Sequence, residues 1–116
     1  MGSPIAWFDI AADDPKKSRK FYADLFDWKI NVDEEMDYGM VETGASEGIS
    51  GGIGKSGDGT PAGITVYAVV DDAKAALEKA ESLGGKAVSQ PYEIPGYGLM
   101  AVFQDPEGNR VGLWQR

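Results

Sequence analysis

The 116-residue chain contains no histidine and no cysteine. Lack of histidine removes the usual general base near neutral pH and the commonest metal ligand. Lack of cysteine removes disulfides and thiol nucleophiles. Together the two absences exclude ordinary zinc sites and Ser-His or Cys-His catalysis. Carboxylates, tyrosine, lysine and backbone groups are left for acid–base or oxygen-ligand chemistry. Positive charge is also scarce. Eleven Lys and Arg stand against 19 Asp and Glu, a formal net charge of −8, with a pI near 4.4. A nucleic-acid binder needs a basic footprint to displace counterions, so that class is excluded, as is docking on an anionic membrane. The acidic balance suits a cationic ligand, and it suits plain solubility equally. No apolar run approaches the roughly 18 residues of a membrane span. The start, Met1-Gly2-Ser3-Pro4, has neither a charged region nor a long apolar stretch, so no signal peptide is expected. The expectation is a soluble, cytoplasmic protein.

What is present is a repeat at half the chain length. Ala6-Trp7-Phe8-Asp9-Ile10-Ala11-Ala12-Asp13-Asp14 matches Ile64-Thr65-Val66-Tyr67-Ala68-Val69-Val70-Asp71-Asp72, 58 positions later. In each half an apolar strand stops at Asp-Asp, a helix follows, and further strands follow the helix. Such self-similarity marks two copies of one unit. The expected fold is α+β: two tandem βαβββ modules in a curved mixed sheet, with helices on one face and a cavity on the other. One domain covers 1–116, with module one at 4–54, a linker at 55–63 and module two at 64–116. Neither half, at under 60 residues, buries a sheet face well alone.

Local signals place the elements. Asp14-Pro15 starts a helix, since Asp caps free N–H groups and Pro suits the first helical position. From Pro15 to Phe26, Phe21 with Leu25 and Tyr22 with Phe26 recur at i, i+4 and predict the buried stripe. Strands are predicted at Trp28–Val32, and at Tyr38–Thr43 paired with Gly48–Ile53. Asp72 caps a second helix of about 12 residues, with Ala76, Leu77, Ala80 and Leu83 on its apolar side, ended by Gly84-Gly85. Strands follow at Lys86–Ser89, Gly98–Phe103 and Arg110–Trp114, the last two joined by Asp105-Pro106-Glu107-Gly108-Asn109.

Alternation then separates two faces of the sheet. Phe8, Ile10, Val66, Ala68, Val111 and Leu113 are expected against the helices. Ile5, Trp7, Asp9, Thr65, Tyr67, Arg110, Gly112 and Trp114 point the other way. That second set mixes large aromatics, a carboxylate, a hydroxyl, an arginine and a bare glycine, which suits a concave ligand surface. A subunit interface or a second small core would use the same residues. Asp9 interrupts an apolar strand on this face, and a buried carboxylate is costly unless paired. Arg110, a ligand cation or water would compensate it. Trp7, Tyr67 and Trp114 form a stacking slot for a planar ligand, or else are core aromatics. Glu42 lies on a strand of undefined facing.

Two other patterns have plainer readings. Gly54-Lys55-Ser56 has the ending of a phosphate loop, but Ile49 stands where the pattern needs glycine, and turn residues follow instead of a helix. Asp13-Asp14 and Asp71-Asp72 sit at strand–helix junctions, where capping explains them.

In its order of signals the chain resembles the vicinal oxygen chelate superfamily of glyoxalases, extradiol dioxygenases and bleomycin-resistance-type proteins. The likeness is carried by Trp7-Phe8-Asp9-Ile10, Phe21-Tyr22, Leu25-Phe26, Trp28, the strand and Asp-Asp stop at Tyr67–Asp72, Leu83-Gly84-Gly85 and Asp105–Asn109. It covers essentially the whole chain. Family enzymes hold a divalent metal between the two modules, through His or Glu on the first and last strands of each. Those positions map onto Trp7, Gly52, Thr65 and Gly112, with Gly52 placed by aligning Glu47-Gly48 with Glu107-Gly108. Indole does not bind a hard cation, glycine has no side chain, and a lone Thr hydroxyl is weak where several oxygen ligands are needed. The expectation is therefore a metal-free protein with no cofactor, binding a small planar or cationic molecule through Trp7, Asp9, Gly52, Thr65, Tyr67, Arg110, Gly112 and Trp114. Gly52 and Gly112 would leave room for that ligand. One alternative is a metal-independent lyase, isomerase or hydrolase with Asp9 as base and Tyr67 or Thr65 orienting the substrate. Another is a metal-dependent lyase or dioxygenase with atypical ligands. A protein that pairs only through its sheet edges is a further one. The resemblance also implies a homodimer.

Overall fold

The computed structural model describes residues 2–57 and 60–116. Met1 lies outside them, as do Asp58 and Gly59 of the 55–63 linker. The chain is α+β, and the order of elements is the predicted βαβββ repeated twice. Module one runs β1 (Ile5–Ala12), α1 (Pro15–Phe26), β2 (Lys29–Asp33), β3 (Tyr38–Glu42) and β4 (Ser50–Lys55). Module two runs β5 (Gly63–Val69), α2 (Ala73–Ser82), β6 (Lys86–Ile94), β7 (Gly98–Gln104) and β8 (Arg110–Gln115). By contacts the chain forms two compact units. One is Trp7–Ile64. The other is Thr65–Arg116 together with the N-terminal residues up to Ala6.

In module one the strands lie in the order β2-β3-β4-β1. β1 pairs in parallel with β4, and the other two pairings are antiparallel. Asp14 caps α1 as predicted, its carboxylate accepting from Lys17 N–H at 3.3 Å, with Pro15 in the first turn. Ile10, Val41 and Ile53 form the core, joined by Phe8, Tyr22, Trp28 and Ile30. Phe8 lies over Gly51, where an added Cβ would meet ring carbons at 2.3–2.5 Å.

The buried stripe of α1 departs from the predicted one. Phe21 and Leu25 are each 58% exposed, and Phe26 is 53% exposed. Of the predicted stripe Tyr22 does pack against the core, half-buried, and the inner side is completed by Pro15 and Arg19, which share its helical spacing. Periodicity marks residues that share a face; it does not say which face the sheet takes.

In module two the order is β5-β8-β7-β6, with β5 parallel to β8. Asp72 accepts from Ala75 N–H at 3.0 Å and caps α2. The helix is shorter than predicted, ten residues, and stops at Leu83. Gly84 takes φ +102°, its N–H bonds Glu81 O, and Gly85 N–H reaches back to Ala80 O. This is the Schellman pattern, which needs the left-handed backbone that glycine supplies. Leu77, Ala101 and Leu113 form the core. Two residues expected inside are not: Leu83 lies past the last turn and is 70% exposed, and Val66 is 37% exposed.

β6 (nine residues) is more than twice the predicted length and runs through Pro91. Pro91 lacks an N–H, but β6 is the outer strand of its unit, and its register shifts between Ala87 and Tyr92. Edge strands and bulges are where a sheet tolerates proline. Among the described residues no helix is long and apolar enough to cross a membrane.

Candidate functional site

In module one the face opposite α1 carries a hydrogen-bonded chain of three side chains. Trp7 Nε1–H donates to Tyr38 Oη at 3.2 Å, and Tyr38 Oη–H donates to Asp9 Oδ1 at 2.7 Å. All three residues are half-buried. Trp7 and Asp9 are two apart on β1, so they share a face, and Tyr38 arrives from β3, two strands away. Its ring crosses the intervening β4, covering both Gly52 and Gly54. A Cβ at Gly52 would lie 2.1–2.3 Å from Tyr38 Cε2, Cζ and Oη, and one at Gly54 would lie 2.5 Å from Cδ1. The two glycines are what allow the phenol to reach β1.

Tyr38 is absent from the sequence-derived site residues. A usable signal existed in Gly51-Gly52-Ile53-Gly54: a strand with so little side chain leaves its surface open to a large ring from a neighbour. Choosing Tyr38 as that neighbour needs the β3–β4 register, which sets Tyr38 opposite Gly54.

In module two Tyr67 plays a similar part. It is opposite Gly112 in the β5–β8 register, and its ring lies over that glycine, with Cδ2 2.2 Å from where a Cβ would stand. Tyr67 is 5% exposed and Thr65 7%. Trp114, 9% exposed, donates Nε1–H to Tyr97 O at 2.9 Å, and the Arg116 guanidinium stands 5.2 Å from its ring centre. Arg110 begins β8 and is half-buried.

The space that Gly52 and Gly112 leave open is therefore filled by the chain's own tyrosine rings. This corrects the expectation that these glycines leave room for a ligand. The same finding bears on the metal that the resemblance implies. A side-chain ligand at position 52 or 112 would have to displace a tyrosine ring. Trp7 offers only an N–H, already given to Tyr38, and indole is donor-only. The four positions do not fit a divalent metal. Among the described residues no three His, Cys, Asp or Glu are grouped so as to hold one.

Other candidates have structural roles. Asp13 accepts from Ser56 Oγ–H, and its carbonyl accepts from Lys55 Nζ at 2.6 Å. The Gly54-Lys55-Ser56 segment thus ties the end of β4 to the end of β1. Glu42 is exposed at the end of β3. A recess of about 260 Å³ lies at Gly2, Ser3, Pro4, Val69, Val70 and Asp71, and none of the candidate residues lines it.

The sequence model of the Glyoxalase/Bleomycin resistance protein/Dioxygenase superfamily matches residues 4–113. The chain belongs to that superfamily. It is 30% identical to a glyoxylase-like domain-containing protein of Didymella fabae, covering 97% of this chain and 93% of that protein. It is 34% identical to the anthracycline biosynthesis protein DnrV of Streptomyces peucetius over 99% of this chain. That match takes in 47% of DnrV, so the chain spans about half the length of this relative. Among solved structures, the hypothetical protein BH1468 of Bacillus halodurans shares the fold, with a TM-score of 0.71 at 12% identity. The superposition covers 100% of this chain and 96% of that one.

Proposed function

We propose that this superfamily member binds a small planar or cationic organic molecule without a metal, in the manner of a sequestering or carrier protein. The single observation that carries the reading is the Trp7–Tyr38–Asp9 chain. It sets an indole and a phenol beside a half-buried carboxylate, which is the equipment for stacking on a flat ring and attracting positive charge. In module one the proposed site residues are Trp7, Asp9 and Tyr38, with Gly52 as the seat of the Tyr38 ring. In module two Thr65, Tyr67, Arg110 and Trp114, with Gly112 as the seat of the Tyr67 ring, are proposed as ligand-binding residues of their own unit. The poor fit to a metal supports the reading. So do the relative named for anthracycline biosynthesis, since anthracyclines are flat polycyclic compounds, and the net charge of −8. The protein is proposed to act as a homodimer in the cytoplasm, and sedimentation velocity tests the dimer.

Tryptophan fluorescence tests the binding. 9-Aminoacridine, a planar cation, should quench at micromolar concentration, and anthraquinone-2-sulfonate, a planar anion, should quench less. Trp7→Ala should weaken 9-aminoacridine binding about tenfold, equivalent to about 1.4 kcal/mol. Absence of quenching by either compound, with Trp7→Ala indistinguishable from wild type, defeats the proposal.

One observation favours a second reading. A phenol donating to a carboxylate at 2.7 Å is an acid–base pair. In a metal-independent lyase, isomerase or hydrolase Asp9 would be the base, with Tyr38 passing it the proton. Asp9→Asn would then abolish turnover while leaving binding of a neutral planar compound within a few-fold. In a pure binder it changes only the preference for cations.

A further inference from the structure

We infer that Arg19 is a positioning residue that sets the Tyr38 phenol in the candidate site from the opposite side of the sheet; this rests on the proposed site. Arg19 stands on α1 and is 7% exposed, one of two buried polar or charged residues among those described. Its contacts bracket Tyr38. Nη2–H donates to Asp37 Oδ1 at 3.3 Å, and Asp37 immediately precedes Tyr38. The methylene stem occupies the Cβ space of Gly39, which immediately follows it, with Cδ 2.5 Å from the ideal Cβ position. Nη1–H donates to the carbonyl of Ile53 at 3.4 Å. Ile53 lies between the two glycines that Tyr38 covers, and Gly39 is its register partner.

The arrangement answers a specific weakness. Glycine-rich strands hold their register poorly, and a slip of one residue turns every side chain to the other face. β4, with glycine at three of its six positions, is such a strand. A slip against β3 would carry the Tyr38 ring off Gly52 and away from Trp7 and Asp9. Arg19 grips β3 on both sides of Tyr38 and β4 at the facing carbonyl. Asp37 holds the left-handed backbone at φ +49°, unusual outside glycine, in the residue that launches β3. An apolar side chain in place of Arg19 could fill the space over Gly39, but could not hold Asp37 or the Ile53 carbonyl.

The test follows the Tyr38 ring directly. Protein carrying 13Cζ-labelled tyrosine gives five resonances, one for each tyrosine, and Tyr38→Phe identifies the one that matters. Arg19→Met should shift that resonance and weaken 9-aminoacridine binding at least fivefold. Asp37→Asn, at an exposed position, should shift it less, in the same direction, without loss of fold. Arg19→Lys should restore part of the Arg19→Met shift. Leu77→Ala, in the other unit, serves as a control that lowers stability without moving the resonance. If Arg19→Met and Asp37→Asn both fold and leave the Tyr38 resonance in place, Arg19 is not a positioning residue. If they move it while wild type binds no acridine, the positioning holds and the binding proposal fails.

Discussion

Gly52→Ala adds one methyl group beneath the Tyr38 ring. The new carbon would lie 2.1–2.3 Å from three atoms at the far end of that ring. Carbon–carbon contacts are comfortable only near 3.5 Å, so the ring must move by more than about 1 Å. Movement of that size breaks both bonds of the phenol, to Asp9 at 2.7 Å and to Trp7 at 3.2 Å. A hydrogen bond to a charged group contributes about 1.5–3 kcal/mol and a neutral one about 0.5–1.5 kcal/mol. All three residues are half-buried, so solvent replaces part of each bond, and a total of about 2–3 kcal/mol is expected. For a chain of this size that lowers Tm by roughly 8–15 °C. Urea denaturation followed by tryptophan fluorescence measures the loss. The decisive comparison is the same substitution in a Tyr38→Ala background. There the ring is gone, and Gly52→Ala should be neutral or slightly stabilising, because alanine leaves the unfolded chain less freedom than glycine. The cycle should show a coupling of about 2 kcal/mol. An equal cost in both backgrounds would refute the reasoning, because the penalty would then come from something other than the phenol.

The remaining predictions concern module two. Leu77→Ala empties a site that is 1% exposed and should cost about 2–4 kcal/mol in urea unfolding. Leu83→Ala, at 70% exposure, should cost under about 0.5 kcal/mol, although sequence periodicity groups the two leucines. The Asp105 carboxyl accepts from the Asn109 side chain, and from the backbone N–H groups of Asn109 and Glu107. These bonds, the Asn109 side chain's foremost, hold it below its ordinary value of 3.8. The turn is therefore fully stabilised above that ordinary value and loses the contribution as pH falls through the lower folded one. Asn109→Ala should raise the Asp105 midpoint in an NMR titration, and no change would break the assignment.

The repeat, the two βαβββ modules and both helix starts were legible because they depend on residues close in sequence. Asp14 and Asp72 bond N–H groups three residues on, and Gly84-Gly85 closes α2 within one turn. The alternation of β1 likewise separated Trp7 and Asp9 from Phe8 and Ile10. Legibility failed where local signals were neutral or misleading. The strand predicted at Lys86–Ser89 stops short of Pro91, yet β6 runs on through that proline at the edge of its unit, where a missing N–H is tolerated. On α1, two stripes compete. The more apolar one, Phe21 and Leu25, faces solvent because the sheet is met by the side bearing Arg19 and Tyr22.

The sequence alone determined the kind of module, its repetition and the side-chain chemistry available: no imidazole, no thiol, and no donor at the glycine positions. The tertiary structure decided what occupies the space those glycines open. Tyr38 is 29 residues from Asp9 and 31 from Trp7, and Tyr67 is far from Gly112 in sequence, so no local pattern joins them. Strand register brings each ring over its glycine. The absence of a side chain reads as empty space in a sequence, but a close-packed protein fills such space with its nearest large neighbour.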